Sequence, residues 1–457
     1  MASIYIAAAH KSSGKTIVSL GLCAALRSTG YTVQPFKKGP DYIDPIWLSQ
    51  AAGRPCYNLD FYTMGHSQIH DTVAAQATGA DIIVIEGNKG LYDGMDLHGK
   101  DSNAALAGLL GVPVVLVLDT RGMTRGIAPL VLGYRTFEPR VNIAGVILNQ
   151  VGGMRHESKL RAALREYTDV PVLGVLHKDS QLIIEERHLG LIPSSELECA
   201  ARKIEQIKIL ISNSVDLDHL VRIAREQLAF SVPESSPDVS MEADVRVGLP
   251  RDAAFGFYYP DDLKEMRTAG AELVFFDSLH DRSLPNVDGL FIGGGFPETQ
   301  MEKLEANRSL RADILHFVKQ GGPVYAECGG LIYLGRRLKW RDRSADMVGA
   351  LPLDVVMREH PVGRGYVNLT ETGKSPWGSI VADGSDRIHA HEFHHSKVEK
   401  LDAPDNFAYR VQRGFGIDGE YDGLIYQNVI ASYAHLRTID PICWAQKFVG
   451  FVRQCAH

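Results

Sequence analysis

Two short stretches hold residue types that can do chemistry. In the first, Ala9-His10-Lys11-Ser12-Ser13-Gly14-Lys15-Thr16 follows the β-favouring run Ile4-Tyr5-Ile6-Ala7-Ala8. Ile17, Val18, Leu20, Leu22 and Leu26 come next at helical spacing. Strand, polar glycine-containing turn and helix start make an anion site, because backbone N–H groups and the positive end of the helix dipole receive phosphate oxygens. Ser13 and Gly14 form the turn, Lys15 would reach the terminal phosphates of ATP, and the Thr16 hydroxyl would hold Mg2+. Ala9 stands where G-x-x-x-x-G-K-[ST] has its first glycine, and Gly-Lys-Thr also opens ordinary helices.

The second stretch is Val324-Tyr325-Ala326-Glu327-Cys328-Gly329-Gly330-Leu331. A strand running into a cysteine, two glycines and a helix start has the layout of a nucleophile elbow with sulfur in place of oxygen. A helix N-terminus favours the thiolate. The other cysteines (Cys23, Cys56, Cys199, Cys443, Cys455) are scattered without a C-x-x-C, as expected of small buried hydrophobes rather than a disulfide framework or zinc site. A thiol nucleophile needs a base. The candidates are the cluster His389, His391, His394 and His395 and, just past the apolar Ile430–Tyr433, His435, whose position suits a general base. Upstream, Gly293-Gly294-Gly295-Phe296-Pro297-Glu298 offers backbone N–H groups at Gly294 and Gly295 which, with Gly329, can form an oxyanion hole. Structural glycine turns look the same.

Acidic and basic residues fall at the ends of other predicted strands. Phe36-Lys37-Lys38-Gly39-Pro40-Asp41-Tyr42-Ile43-Asp44-Pro45 can serve phosphates, a substrate carboxylate and Mg2+ together, or be a solvated turn. Ile85-Glu86-Gly87-Asn88-Lys89-Gly90-Leu91-Tyr92-Asp93-Gly94 ends a strand in a carboxylate, the Walker B arrangement. Glu86 is the favoured metal ligand and Asp93 the second candidate. Lys38, Asp44, Tyr92 and Asp93 are the expected substrate contacts. Asn149, after Val146-Ile147-Leu148, can pair with the edge of adenine or simply form a turn.

These residues need strand ends to carry them. Apolar runs at Thr32–Phe36, Ile82–Ile85, Val114–Leu118, Val141–Leu148 and Val172–Leu176 alternate with helical patterns, which predicts a parallel sheet covered on both faces. Ligands bind beyond the carboxyl ends of such strands. Residues 198–230 read as one helix and lead into the Pro/Ser/acid linker 231–238. A second α/β pattern starts at Val245–Leu249. The expected organisation is therefore an α/β chain of two doubly wound domains, 1–195 and 244–457, joined by a helix and linker at 196–243.

The 457 residues suffice for two or three cores, and 45% apolar with 23% charged residues is the balance of a globular protein. A formal charge of −7 argues against bulk nucleic-acid binding. The sequence has no apolar run long enough to span a membrane and opens directly into a strand, which predicts a cytoplasmic protein.

With these pieces assembled, the chain resembles the cobyrinic acid a,c-diamide synthase family of glutamine-dependent, ATP-using amidotransferases acting on tetrapyrrole carboxylates. The matching motifs are 13–16, 38–45, 86–94, Arg187-His188-Leu189-Gly190-Leu191-Ile192-Pro193, 293–298, 326–330, His391-Glu392-Phe393-His394 and Ser432-Tyr433-Ala434-His435, in the family's order. The resemblance implies a dethiobiotin-synthetase-like P-loop domain followed by a class I glutamine amidotransferase domain. It further implies ATP and Mg2+, L-glutamine and a tetrapyrrole polycarboxylate as ligands, Asp41 and Glu86 near the metal, Cys328 as nucleophile, His435 as its base, and compatibility with a homodimer. Class I members usually place Glu two residues beyond the histidine; here Arg437 stands there. Asn88-Lys89 differs from the small or apolar pair usual in corrin-specific members and is associated with relatives that act on sirohaem. Lys37, Lys38 and Lys89 are the candidate cations for a polycarboxylate. A P-loop regulatory ATPase with a degenerate cysteine domain is the rival of a different class.

Overall fold

A computed structural model describes residues 1–178, 186–187, 190–191, 200–226, 241–385, 387–402 and 406–456. The chain divides into two compact units, Met1–Ser236 and Pro237–His457. The expected linker 231–238 lies outside the described residues, as do His188, Leu189, Ile192 and Pro193 of the motif at 187–193.

The first unit is built on seven strands: β1 (Ala2–Ala8), β2 (Val33–Lys38), β3 (Tyr57–Leu59), β4 (Ile82–Glu86), β5 (Val114–Asp119), β6 (Ile143–Val151) and β7 (Val172–His177). They form one sheet in the order β3-β2-β4-β1-β5-β6-β7, every pair parallel. Every residue of β1, β4 and β5 is buried, which is why these strands read as unbroken apolar runs rather than alternating ones. β3 has only three residues, too short to show a pattern in the sequence.

Helix α1 (Lys15–Ser28) leaves β1 through the phosphate-type loop, and α2 (Ile43–Ala52) follows β2. Later in the chain, Ala200–Ser214 and Leu217–Glu226 are two helices where one was expected. The break falls at Val215-Asp216. Val215 bridges to Gly174 of β7, and the Asp216 side chain accepts a hydrogen bond from the His219 N–H as the second helix begins. The first of these helices packs on α1: a Cβ at Gly21 would stand 2.2 Å from Ile211. Gly21 is therefore the residue that lets the two helices approach.

The second unit contains a nine-stranded sheet. In spatial order its strands are 271–276, 245–250, 289–292, 324–327, 429–432, 421–426, 407–413, 363–371 and 387–394. The first five run parallel, and the last four are added antiparallel to one another. Tyr325, Phe291, Trp444, Trp377 and Phe448 pack ring against ring on one face of the sheet. This anchors the central strand that ends in Glu327-Cys328.

Candidate active sites

In the first unit, parallel pairing sets the carboxyl ends of β2, β4 and β1 side by side, with Lys37 in register with Glu86 and Glu86 with Ile6. The loop after β1 turns through left-handed backbone at Ser12 (φ 63°) and Gly14 (φ 92°). Asn149, at the end of β6, donates from Nδ2 to the Ser13 carbonyl at 2.9 Å, while its Oδ1 accepts from the Gln150 N–H at 2.9 Å. Asn149 thus clamps the loop; its observed partners are main chain.

Thr16, Asp44, Glu86 and Lys37 meet in one cluster. The Thr16 hydroxyl donates to Glu86 Oε1 at 2.8 Å and lies 3.3 Å from Asp44 Oδ2. Lys37 Nζ donates to Asp44 at 2.5 Å and Glu86 at 2.8 Å, with Asp41 at 3.7 Å. Lys37, a candidate cation for a polycarboxylate, is only 2% exposed and its observed partners are carboxylates of the protein. Successive strand residues point to opposite faces, and register with β4 turns Lys37 into the carboxylates. Burial alone would discharge this ammonium; Asp44, Glu86 and Asp41 outweigh burial and hold its pKa well above the ordinary range. Burial raises the Glu86 pKa against the pull of Lys37. Lys15 is lowered to about 8 by burial and the neighbouring Lys37.

Among the described residues no three His, Cys, Asp or Glu side chains converge as a ready metal site, and Lys37 stands among the carboxylates. The oxygens around Thr16 are nonetheless of the kind a small hard cation takes. Glu86 Oε2 is buried without a hydrogen-bond partner, and the Thr16 hydroxyl and the Asp44 and Asp41 carboxylates supply oxygen, the ligand type that Mg2+ selects.

The loop after β4 is set by Asn103, which the sequence reading passed over. Its Oδ1 accepts from the Tyr5 hydroxyl at 2.8 Å and the Asn88 N–H at 3.1 Å, and its Nδ2 donates to the Gly90 carbonyl at 2.7 Å. Asp93 accepts from the Gly90 N–H at 3.2 Å. The Tyr92 hydroxyl donates to the Tyr134 carbonyl, and the Tyr134 hydroxyl donates to the Ala9 carbonyl at 2.5 Å. Tyr92 is therefore tied to the phosphate loop through Tyr134. Lys38 is buried, its pKa lowered by burial against Asp60 and Asp101, and Lys89 is exposed.

In the second unit, Cys328 ends the strand Val324–Glu327 in left-handed backbone (φ 47°, ψ −97°) and starts the helix Gly329–Leu334. A non-glycine residue held there is strained, as in a nucleophile elbow. The following glycines are required by space: a Cβ at Gly330 would lie 2.1 Å from the Ile292 carbonyl, and one at Gly329 3.0 Å from the Gly295 nitrogen. Gly294 lies against His435, 2.7 Å from a Cβ built there to His435 Cε1. Cys328, His435, Gly294, Gly295 and Gly329 are thus brought together.

His435 is 3% exposed. Its Nδ1 lies 3.2 Å from Glu327 Oε2. Burial opposes its charged form, but hydrogen bonds to Cys328 and Glu327 prevail and push its pKa up to about 10. Buried carboxylates fix the flanking main chain. Asp422 accepts from the Ser432 hydroxyl and the Tyr433 and Ala434 N–H groups. Glu327 Oε1 accepts from the Leu436 N–H, and Asp262 from the Thr438 N–H. Arg437 donates to Asp261 at 2.7 Å. His391 stacks on His435 with ring centroids 4.9 Å apart. Among the described cysteines, Cys23, Cys56, Cys443 and Cys455 all have thiol pKa values raised by burial.

A P-loop nucleotide unit and a cysteine–histidine unit on one chain define the class of ATP-using, glutamine-hydrolysing ligases. The comparisons agree unit by unit. Residues 4–192 match the CobQ/CobB/MinD/ParA nucleotide binding domain, and residues 246–440 match the CobB/CobQ-like glutamine amidotransferase domain. Cobyrinate a,c-diamide synthase of Magnetococcus marinus is 45% identical, covering 99% of this chain and 97% of that protein. The enzymes of that name from Methanosarcina acetivorans and Archaeoglobus fulgidus are each 41% identical, covering 95% and 98% of this chain and 92% and 96% of theirs. The chain belongs to the cobyrinate a,c-diamide synthase family. Among the described residues, no helix is long and apolar enough to cross a membrane.

Proposed function

We propose that this protein amidates the a- and c-acetate side chains of cobyrinic acid with ATP and L-glutamine. The observation that carries the reading is the pair of centres on one chain: a buried lysine–carboxylate cluster under a phosphate loop, and a strained cysteine with a buried histidine beside it. At the second centre the Cys328 sulfur attacks the glutamine amide carbon and His435 delivers a proton to the departing nitrogen. Ammonia leaves, and water then releases glutamate from the thioester. N–H groups of Gly294, Gly295 and Gly329 receive the oxyanion.

At the first centre a substrate carboxylate oxygen takes the γ-phosphoryl group of ATP, ADP leaves, and ammonia displaces phosphate from the acyl phosphate. Lys15 and the loop N–H groups hold the phosphates, while Lys38, Asp44, Tyr92 and Asp93 face the tetrapyrrole substrate. Thr16, Glu86 and Asp41 would hold Mg2+, which would supply charge neutralisation for the phosphates.

The test is ATP- and glutamine-dependent conversion of cobyrinic acid, hydrogenobyrinic acid, sirohydrochlorin and sirohaem, followed by mass spectrometry. Each amidation exchanges OH for NH2, so the mass decrement counts the sites. Two decrements on cobyrinic acid uphold the proposal. Turnover of sirohaem alone replaces the substrate and points to Asn88-Lys89. ATP hydrolysis with no amidated product overturns the synthetase reading in favour of a regulatory ATPase.

A further inference from the structure

Class I glutaminases usually orient the histidine with a glutamate two residues beyond it, and this chain has Arg437 there, spent on Asp261. We infer that Glu327, the residue immediately before the nucleophile, is the positioning carboxylate for His435. The inference rests on the cysteine–histidine reading above and deepens it.

Four observations carry the inference. Glu327 Oε2 lies 3.2 Å from His435 Nδ1, and both residues are nearly water-free. Its other oxygen is fixed by two neutral donors, the Tyr325 hydroxyl at 2.7 Å and the Leu436 N–H at 3.0 Å. The carboxylate therefore has one oxygen for anchoring and one for the ring. With Nδ1–H given to Glu327, Nε2 is the nitrogen that takes up the thiol proton and returns it to the leaving ammonia. Finally, the nearby carboxylates are otherwise engaged. Asp422 and Asp262 serve main-chain N–H groups around 433–438, and Glu392 accepts from the Phe415 and Gly416 N–H groups. His391 stacks flat on the base, and Arg437 lies over Tyr259.

Strand geometry explains how an acid next to the nucleophile reaches the base. Tyr325 and Glu327 share one face of their strand, and Glu327 is in parallel register with Ser432. The chain then turns at Cys328, so Glu327 and Cys328 address His435 from two directions.

The experiment is glutamate release from glutamine by the full chain, compared with Glu327→Gln and Glu327→Asp variants across pH. This assay needs no tetrapyrrole and so is independent of the acceptor's identity. The glutamine variant keeps an oxygen for Leu436 and Tyr325 but removes the charge that holds the imidazolium. We expect its kcat to fall by about a hundredfold or more with KM little changed. The alkaline limb of its pH profile should move to lower pH by about one to three units. The aspartate variant, which keeps the charge, should recover much of the rate and the wild-type alkaline limb. A Glu327→Gln enzyme with wild-type kcat, or one slowed with its alkaline limb unmoved, overturns the assignment. A wild-type chain that releases no glutamate overturns the cysteine–histidine reading itself.

Discussion

Lys37 Nζ and Glu86 Oε1 lie 2.8 Å apart across two adjacent parallel strands, with the lysine side chain 2% and the glutamate 0% exposed. Breaking such a pair from one side leaves an uncompensated buried charge. Lys37→Met should therefore destabilise the protein by about 3–5 kcal/mol. Thermal unfolding of the variant with and without Mg2+ is the measurement. If Thr16, Glu86 and Asp41 accept the cation as proposed, magnesium should raise the variant's midpoint more than the wild type's. An unchanged midpoint would mean that water relieves the carboxylates.

Gly14 has φ 92°, and a Cβ there would stand 2.2 Å from Asn149 Nδ2. Left-handed backbone costs a non-glycine residue about 1–2 kcal/mol, so Gly14→Ala should weaken ATP binding by about tenfold or more. Adding Asn149→Ala removes the clash but not the strain. The double variant should then bind nucleotide better than the additive expectation from the two singles. Strict additivity in a nucleotide titration would rule out the Gly14–Asn149 contact as the cause.

Cys328→Ala should abolish glutamate release while leaving amidation with ammonium salts as nitrogen source intact. On the proposed mechanism the two activities use different residues, Cys328 with His435 in one case and Lys15 with Glu86 in the other. Loss of both in a folded variant would show that the thiol supports the synthetase reaction as well.

The raised pKa of His435 also makes a stability prediction. A group whose folded pKa lies above its unfolded value contributes fully below the unfolded pKa, here the ordinary 6.5. That contribution is lost as pH rises through the folded value of about 10. The excess in melting temperature of wild type over His435→Asn should be greatest at pH 6 and shrink toward pH 10. A difference that grows with pH would show that His435 is neutral in the native protein.

Much of this was legible beforehand where a motif and its carrier are contiguous. Ala8 to Thr16 reads as strand, turn and helix because every signal is local. The same holds for Val324 to Gly330, where the Gly-Gly pair marks the elbow. Contacts between distant segments were not legible. Lys37 and Lys38 are indistinguishable in the sequence, and only register with β4 sets Lys37 against Glu86. Glu327 lies beside the nucleophile in sequence, yet its contact with His435 depends on pairing with a strand about a hundred residues later. Asn103 looks like a helix-start residue, and only the fold reveals it as the organiser of the loop at 87–94. The break at Val215 escaped because the apolar period continues through it.

Three acids separated widely in the sequence, Asp262, Glu327 and Asp422, hold the segment 432–438 that carries His435. Chains are made from the amino end, and domains generally fold in that order. Every strand of the nucleotide unit is therefore synthesised before Cys328, and all three acids before His435. On the proposed mechanism, glutamine hydrolysis would therefore arise only after the nucleotide unit has been made, and an unfinished polypeptide would release no free ammonia ahead of the unit that consumes it.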